Sequence, residues 1–162
     1  MLNEEIQEKL NQQVNNELYA AYIYQAMGAQ FEAESLEGFA SWMDLQTQEE
    51  LEHARKIYDY INERGGRVEL RAIAEPPKDF GTPLEAFQAA LEHEEMVTGK
   101  INELVSLARK HDDYATESFL QWFVDEQVEE EDSVNAIIDK LEMIGGASSG
   151  IYILNNELGR RQ

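Results

Sequence analysis

A helical period repeated four times is what most limits the folds open to this sequence. Over residues 5–33 one stripe takes Leu10, Val14, Glu17, Ala21, Tyr24, Gly28 and Phe31, in alternating steps of four and three. Residues 36–64 repeat the spacing with Phe39, Met43, Gln46, Glu50, His53, Ile57 and Tyr60. Residues 83–110 align Leu84, Phe87, Leu91, Glu94, Val97, Ile101, Val105 and Ala108, and residues 113–143 align Phe123, Gln127, Glu130, Val134, Ile137 and Leu141. Steps of three and four keep side chains on one face of an α-helix. Four such segments, each of about 28 residues, predict an all-α four-helix bundle.

The connections predict how the helices run. Ala33-Glu34-Ser35 is short, with Ser35 a candidate N-cap, so the first two helices are expected to be antiparallel neighbours. His111-Asp112-Asp113 is equally short, and either aspartate suits the cap of the fourth helix. Gly65 to Thr82 is long, holds Pro76-Pro77, and leads into Pro83. An extended segment of that length reaches roughly 60 Å, against about 42 Å for a 28-residue helix. It can cross the whole bundle and leave the second and third helices parallel. After Gly145-Gly146, residues 147–158 around Ile151-Tyr152-Ile153-Leu154 predict a short fifth helix, too small to stand alone. Residues 1–162 read as one domain of a size that buries a real core.

Composition narrows the chemistry. There are 33 Asp and Glu against 13 Lys and Arg, a net charge of −20, which disfavours nucleic acid and favours cations as partners. The absence of cysteine excludes disulfides, iron–sulfur clusters and thiolate zinc sites. No apolar run approaches the ~20 residues that span a bilayer. The acidic start, Met1 to Glu5, lacks the order of a secretory signal, so a cytoplasmic location is expected.

Each stripe breaks its apolar pattern with a glutamate near mid-helix: Glu17, Glu50, Glu94 and Glu130. Midpoints stay level whichever way a helix runs, so the four carboxylates are expected to meet at one height inside the bundle. His53, three residues after Glu50, shares its face. A lone Glu-x-x-His is ordinarily a solvated pair, and one inward glutamate ordinarily meets an arginine. Here no Lys or Arg occupies the stripes near that height. Unpaired buried carboxylates cost several kcal/mol each unless a proton or cation compensates, which points to a metal cluster. Four negative charges balance two divalent ions. Glu17, Glu50 and His53 would serve one, Glu50, Glu94 and Glu130 the other, with Gln127 nearby and Glu50 as the bridge. Such an oxygen-rich set suits iron or manganese without excluding zinc or cobalt.

Glu17, Glu50-x-x-His53, Glu94 and Gln127-x-x-Glu130 resemble the ferroxidase centre of non-haem bacterial and archaeal ferritins, and the resemblance covers the whole chain, crossover and tail included. Ferritin-like bundles are also a general illustration of such ligand sets. The resemblance implies oxidation of Fe(II) by oxygen or hydrogen peroxide at two irons per chain, without haem. It further implies storage of Fe(III) mineral in a homo-oligomeric shell of 24 chains. Glu49, Glu126 and Glu129, with Glu130, resemble a third iron position, and Tyr24 an electron donor beside the centre. The commoner pattern has a second Glu-x-x-His. Gln127-x-x-Glu130 keeps the carboxylate count but removes the second metal's nitrogen ligand, which weakens that position and suits iron in transit.

Related families fit less well. A rubrerythrin carries a Cys-rich segment, and a bacterioferritin places methionine where Leu51 stands. Dps-type cages build their centre between subunits. A di-iron oxidase without storage remains an alternative, as does a metal-free acidic bundle. Trp122 is assigned to core packing, and His93 and His111, off the stripes, to the surface.

Overall fold

The computed structural model describes residues 1–162. It contains five helices: α1 (Glu4–Ala33), α2 (Glu37–Glu63), α3 (Pro83–Lys110), α4 (Tyr114–Ile144) and α5 (Ser148–Leu158). α1 packs chiefly on α2, α3 on α4, and α5 lies across the start of α2. Every residue of the four sequence stripes is buried except Leu84, Leu91 and Val105, which are partly so. No helix is long and apolar enough to cross a membrane.

Residues 65–82 run the length of α1. Near one end Asn11 donates to the Arg67 carbonyl and accepts from the Glu69 amide, both at 2.9 Å, while Gln7 accepts from the Arg67 amide at 3.0 Å. Near the other end Gln30 accepts from the Phe80 amide at 2.8 Å and donates to the Gly81 carbonyl at 2.9 Å. Side chains of α1 thus satisfy backbone groups that an irregular segment would otherwise leave to water. α3 therefore starts beside the end of α1 and runs parallel to α2, as expected. Arg64, at the end of α2, pairs with Asp113, at the start of α4, with contacts of 3.0 and 3.2 Å.

Three helices end in the same way. After α1 the Leu36 amide bonds to the Phe31 carbonyl at 2.9 Å and Ser35 to Glu32 at 3.1 Å. Gly66 and Gly65 repeat this after α2, and Asp113 and Asp112 after α3. The pattern requires a left-handed residue just past each helix, and Ser35 (φ 61°), Gly65 (71°) and Asp112 (52°) supply it. Ser35 is therefore not the N-cap of α2, as the sequence suggests; Leu36 holds that position and has no capping side chain. Of the two aspartates, Asp113 caps α4, its side chain accepting from the Thr116 amide at 3.0 Å.

The missing cap of α2 comes from elsewhere. Asn155 Oδ1, on α5, accepts from the Gly38 and Phe39 amides at 2.8 and 3.2 Å. A Cβ at position 38 would lie 1.7 Å from the Asn155 carbonyl oxygen, so only glycine permits the approach. Leu154 and Leu158 then enter the core, while Tyr152 and Ile153 stay exposed. Replacing Asn155 with alanine is expected to cost about 1 kcal/mol, the usual worth of an N-cap. Hydrogen exchange should accelerate at the Gly38 and Phe39 amides and through residues 148–158, with the bundle interior unchanged.

Candidate metal centre

Two apolar clusters fill the ends of the bundle. One is built around Phe31, Phe39, Phe87 and Leu141, the other around Leu10, Ile61, Ile101 and Leu120. Between them lies a polar layer of Glu17 from α1, Gln46, Glu50 and His53 from α2, Glu94 from α3, and Gln127 and Glu130 from α4. All are buried, none more than 5% exposed. Glutamate and glutamine are good helix formers, so this layer leaves the helices intact; its cost lies in desolvation.

The carboxylates form two overlapping sets. Ligand atoms of Glu17, Glu50 and His53 lie within 4.8 Å of one another, as do those of Glu50, Glu94 and Glu130. Glu50 belongs to both. Glu17 Oε2 and His53 Nδ1 are buried without a hydrogen-bond partner, although His53 Nδ1 lies 3.3 Å from Glu50. Neutral groups orient the remaining oxygens. Tyr24 donates to Glu94 Oε1 at 2.5 Å, and Gln13 to Glu17 Oε1 at 2.8 Å. Gln46 donates to Glu130 Oε2 at 2.5 Å and to Glu50 Oε1 at 3.4 Å. Gln127 Nε2 lies 3.2 Å from Glu94 Oε2 and 3.1 Å from its carbonyl.

No lysine or arginine pairs with any of the four glutamates. Burial therefore raises the pKa of Glu17 and Glu50 well above the usual carboxylate range, with the Glu50 charge adding to the effect at Glu17 and the Glu94 and Glu130 charges at Glu50. Burial and the Glu94 charge push Glu130 to about 8. Glu94 is also raised by burial, against the opposing hydrogen bonds from Tyr24 and Gln127. Without metal, the layer holds protons in place of cations.

A ferritin-like family model matches residues 7–144. Two bacterial non-heme ferritins are similar over almost the entire chain. That of Staphylococcus aureus strain USA300 is 46% identical over 161 residues, covering 99% of this chain and 97% of its own. That of Staphylococcus saprophyticus is 47% identical, covering 99% and 96%. The open-pore ferritin of the hyperthermophilic archaeon Archaeoglobus fulgidus superimposes with a TM-score of 0.99 at 48% identity, over 100% of both chains. The chain belongs to the ferritin family.

Around this candidate centre the structure gathers part of the third expected group, and it departs from the sequence reading at Trp122 and His93. Of the residues expected at a third iron position, Glu126 joins Glu130 and His53 within 4.8 Å, but Glu49 and Glu129 do not join that group. Glu129 is exposed, and Glu49 is engaged by Arg161, 2.8 Å away. Trp122 is not a core residue. It is 38% exposed, its ring meets His53 edge-on at 5.4 Å, and Lys56 lies over its face at 4.2 Å. His93 is half-buried rather than on the surface, edge-on to Tyr19, and burial lowers its pKa to about 4. His111 is partly exposed and meets Glu5 at 2.7 Å.

Sequence reasoning assigned no role to Gln13, Gln46 or Arg161. The glutamines left a signal, since each stands four residues before a layer glutamate and so shares its face. Arg161 left none.

The proton load has a consequence for stability. Glu130 in the folded protein keeps its proton up to about pH 8, whereas an unfolded chain releases it near 4.5. Across that window the folded state binds more protons, so the metal-free protein loses stability as pH rises. Its melting temperature should fall by about 5 °C or more between pH 5.5 and 8. Zn(II) should abolish the fall and release protons on binding. Glu130→Gln, which never ionises, should make the metal-free profile shallower, the rest of the slope coming from Glu17, Glu50 and Glu94.

Proposed function

We propose that this ferritin oxidises Fe(II) at the buried carboxylate layer and stores the Fe(III) product inside a homo-oligomeric shell. The observation that carries the reading is the pair of ligand sets sharing Glu50, buried without any basic partner. Glu17, Glu50 and His53 would hold one iron, and Glu50, Glu94 and Glu130 the other, with Gln127 orienting Glu94. The four carboxylates balance two ferrous ions, and entry of the ions expels the protons the layer carries.

Iron is the substrate and also supplies the redox chemistry; the protein contributes placement and charge compensation. Two Fe(II) give up two electrons. These reduce one dioxygen to hydrogen peroxide with two protons, or one hydrogen peroxide to two waters with two protons. Side-by-side binding delivers both electrons to one oxidant molecule. Tyr24, whose hydroxyl bonds to Glu94 at 2.5 Å, would give one electron and its phenolic proton to the oxidant in place of one of the two irons, leaving a tyrosyl radical. The product ions would leave by way of Glu49, Glu126, Glu129 and Glu130. The cleft that reaches His53 has a volume of about 450 Å³ and is lined by Glu49, Glu52, Asp59 and Glu126, among others. Its four carboxylates outnumber Arg55 and Lys56, which also line it, and the net negative wall suits a cation. The larger and more apolar groove, about 680 Å³ beside Tyr19, Ile23 and His93, includes none of the layer glutamates, which disfavours an oxidase acting on an organic substrate. We assign the protein to the cytoplasm and to a 24-chain shell, without haem.

Aerobic ferrous titration followed by sizing, with iron and protein detected together, tests the reading. Rapid oxidation saturating near two or three irons per chain, then continued loading into a large soluble particle, is the expected result. A small particle that oxidises iron but loads no further would instead indicate an oxidase. Glu50→Ala should slow oxidation about 100-fold or more, because both iron positions lose a ligand. The same variant, metal-free, should be at least as stable as wild type, since a carboxyl group costly to bury, protonated or charged, leaves the layer. Undiminished oxidation in it would overturn the assignment.

A further inference from the structure

Arg161 lies beyond the end of α5 and reaches back toward the metal centre. Its Nη2 donates to both oxygens of Glu49, at 2.9 and 2.8 Å, and its Nη1 donates to Gln46 Oε1 at 3.1 Å. The guanidinium carbon sits 4.8 Å from the centre of the Trp42 ring. Gln46 is the residue whose amide orients Glu130 and Glu50. Arg161 is the only lysine or arginine within ion-pair distance of any proposed iron ligand. Its charge is permanent, and its Nη2 alone spans both carboxylate oxygens while Nη1 turns to Gln46.

We infer that Arg161 is an internal counter-cation that occupies Glu49 until a metal ion displaces it, and that it thereby sets the affinity of the third iron position. The inference rests on reading Glu49, Glu126, Glu129 and Glu130 as that position. Glu49 cannot hold the guanidinium in two bonds and also bind a metal with the same oxygens. Filling the position therefore costs the ion pair, while the first two positions, whose ligands touch no basic residue, carry no such penalty. The displaced arginine remains close, because α5 is anchored by Leu154 and Leu158 in the core and by Asn155 on α2. It can close on Glu49 again once the metal has moved on, as a tethered partner at high local concentration. Filling order follows: two positions first, the third only when metal is abundant enough to compete with the arginine.

Zn(II) calorimetry on the assembled protein tests this without redox turnover. Wild type should bind two ions per chain tightly and a third more weakly. Arg161→Ala should tighten the weak class about fivefold, the scale of a partly exposed ion pair, and keep the tight class at two ions per chain. Glu49→Gln should remove the weak class in either background. A second readout leaves Arg161 in place: with Trp122→Phe, Trp42 is the sole indole, and its emission should shift only as the third equivalent binds. A weak class identical in wild type and Arg161→Ala, with Trp42 emission unmoved at the third equivalent, would overturn the inference while leaving the two-iron reading intact. A weak class indifferent to Glu49→Gln would remove the third position and the inference with it. The absence of any tight class would remove the two-iron reading as well.

Discussion

Four carboxylates held in one water-poor layer repel one another and lose hydration together, and the rest of the fold has to overcome that cost. Each uncompensated charge is worth several kcal/mol against folding. Two apolar clusters, one on either side of the layer, supply the opposing contribution. Fully buried side chains such as Ile6, Leu10, Phe39, Ile57 and Ile101 each contribute about 1.5–3 kcal/mol. Binding free energy that would otherwise be spent forming a site is thus available as soon as a cation arrives. Burial and mutual repulsion hold Glu17, Glu50 and Glu130 far above ordinary carboxylate behaviour, so protons fill the role in the meantime.

Keeping the layer flat depends on where the helices begin and end, since a slip of one turn moves a carboxylate by about 5.4 Å. The ends are accordingly well specified. α1, α2 and α3 finish in the same hydrogen-bonded turn, and α1, α3 and α4 start at side-chain caps supplied by Asn3, Thr82 and Asp113. The start of α2 is the exception, completed by Asn155 from α5. The crossover is pinned to α1 at both ends by Gln7, Asn11 and Gln30, which fixes α3 in height relative to α1.

The neutral amides of the layer position the acids. Gln13, Gln46 and Gln127 add no charge, yet each directs an oxygen of a glutamate. They hold the acid groups in place whether a proton or a metal is bound. Gln46 has a second connection, because its carbonyl oxygen accepts from Arg161 while its amide donates to Glu130. The C-terminal segment, the acidic cleft and the buried layer are therefore joined through one side chain.

The helical period, the level placement of Glu17, Glu50, Glu94 and Glu130, the shared face of His53 and the reach of the crossover were all determined by the sequence alone. Each follows from spacing along a single helix or from chain length, and both are local quantities. The glutamines at the fourth residue before Glu17 and Glu50 were legible by the same rule. Ser35 misled because left-handed helix endings ordinarily belong to glycine, and here a tight turn imposes one on serine. Trp122 and His93 misled because periodicity separates inward from outward faces but says nothing about a residue at the boundary between them. Only the tertiary structure decided that Asn155 caps α2 and that Arg161 occupies Glu49. Those contacts join residues more than a hundred positions apart. They exist only because α5 docks on α2, where Gly38 leaves room for it, and no spacing within one helix encodes that docking.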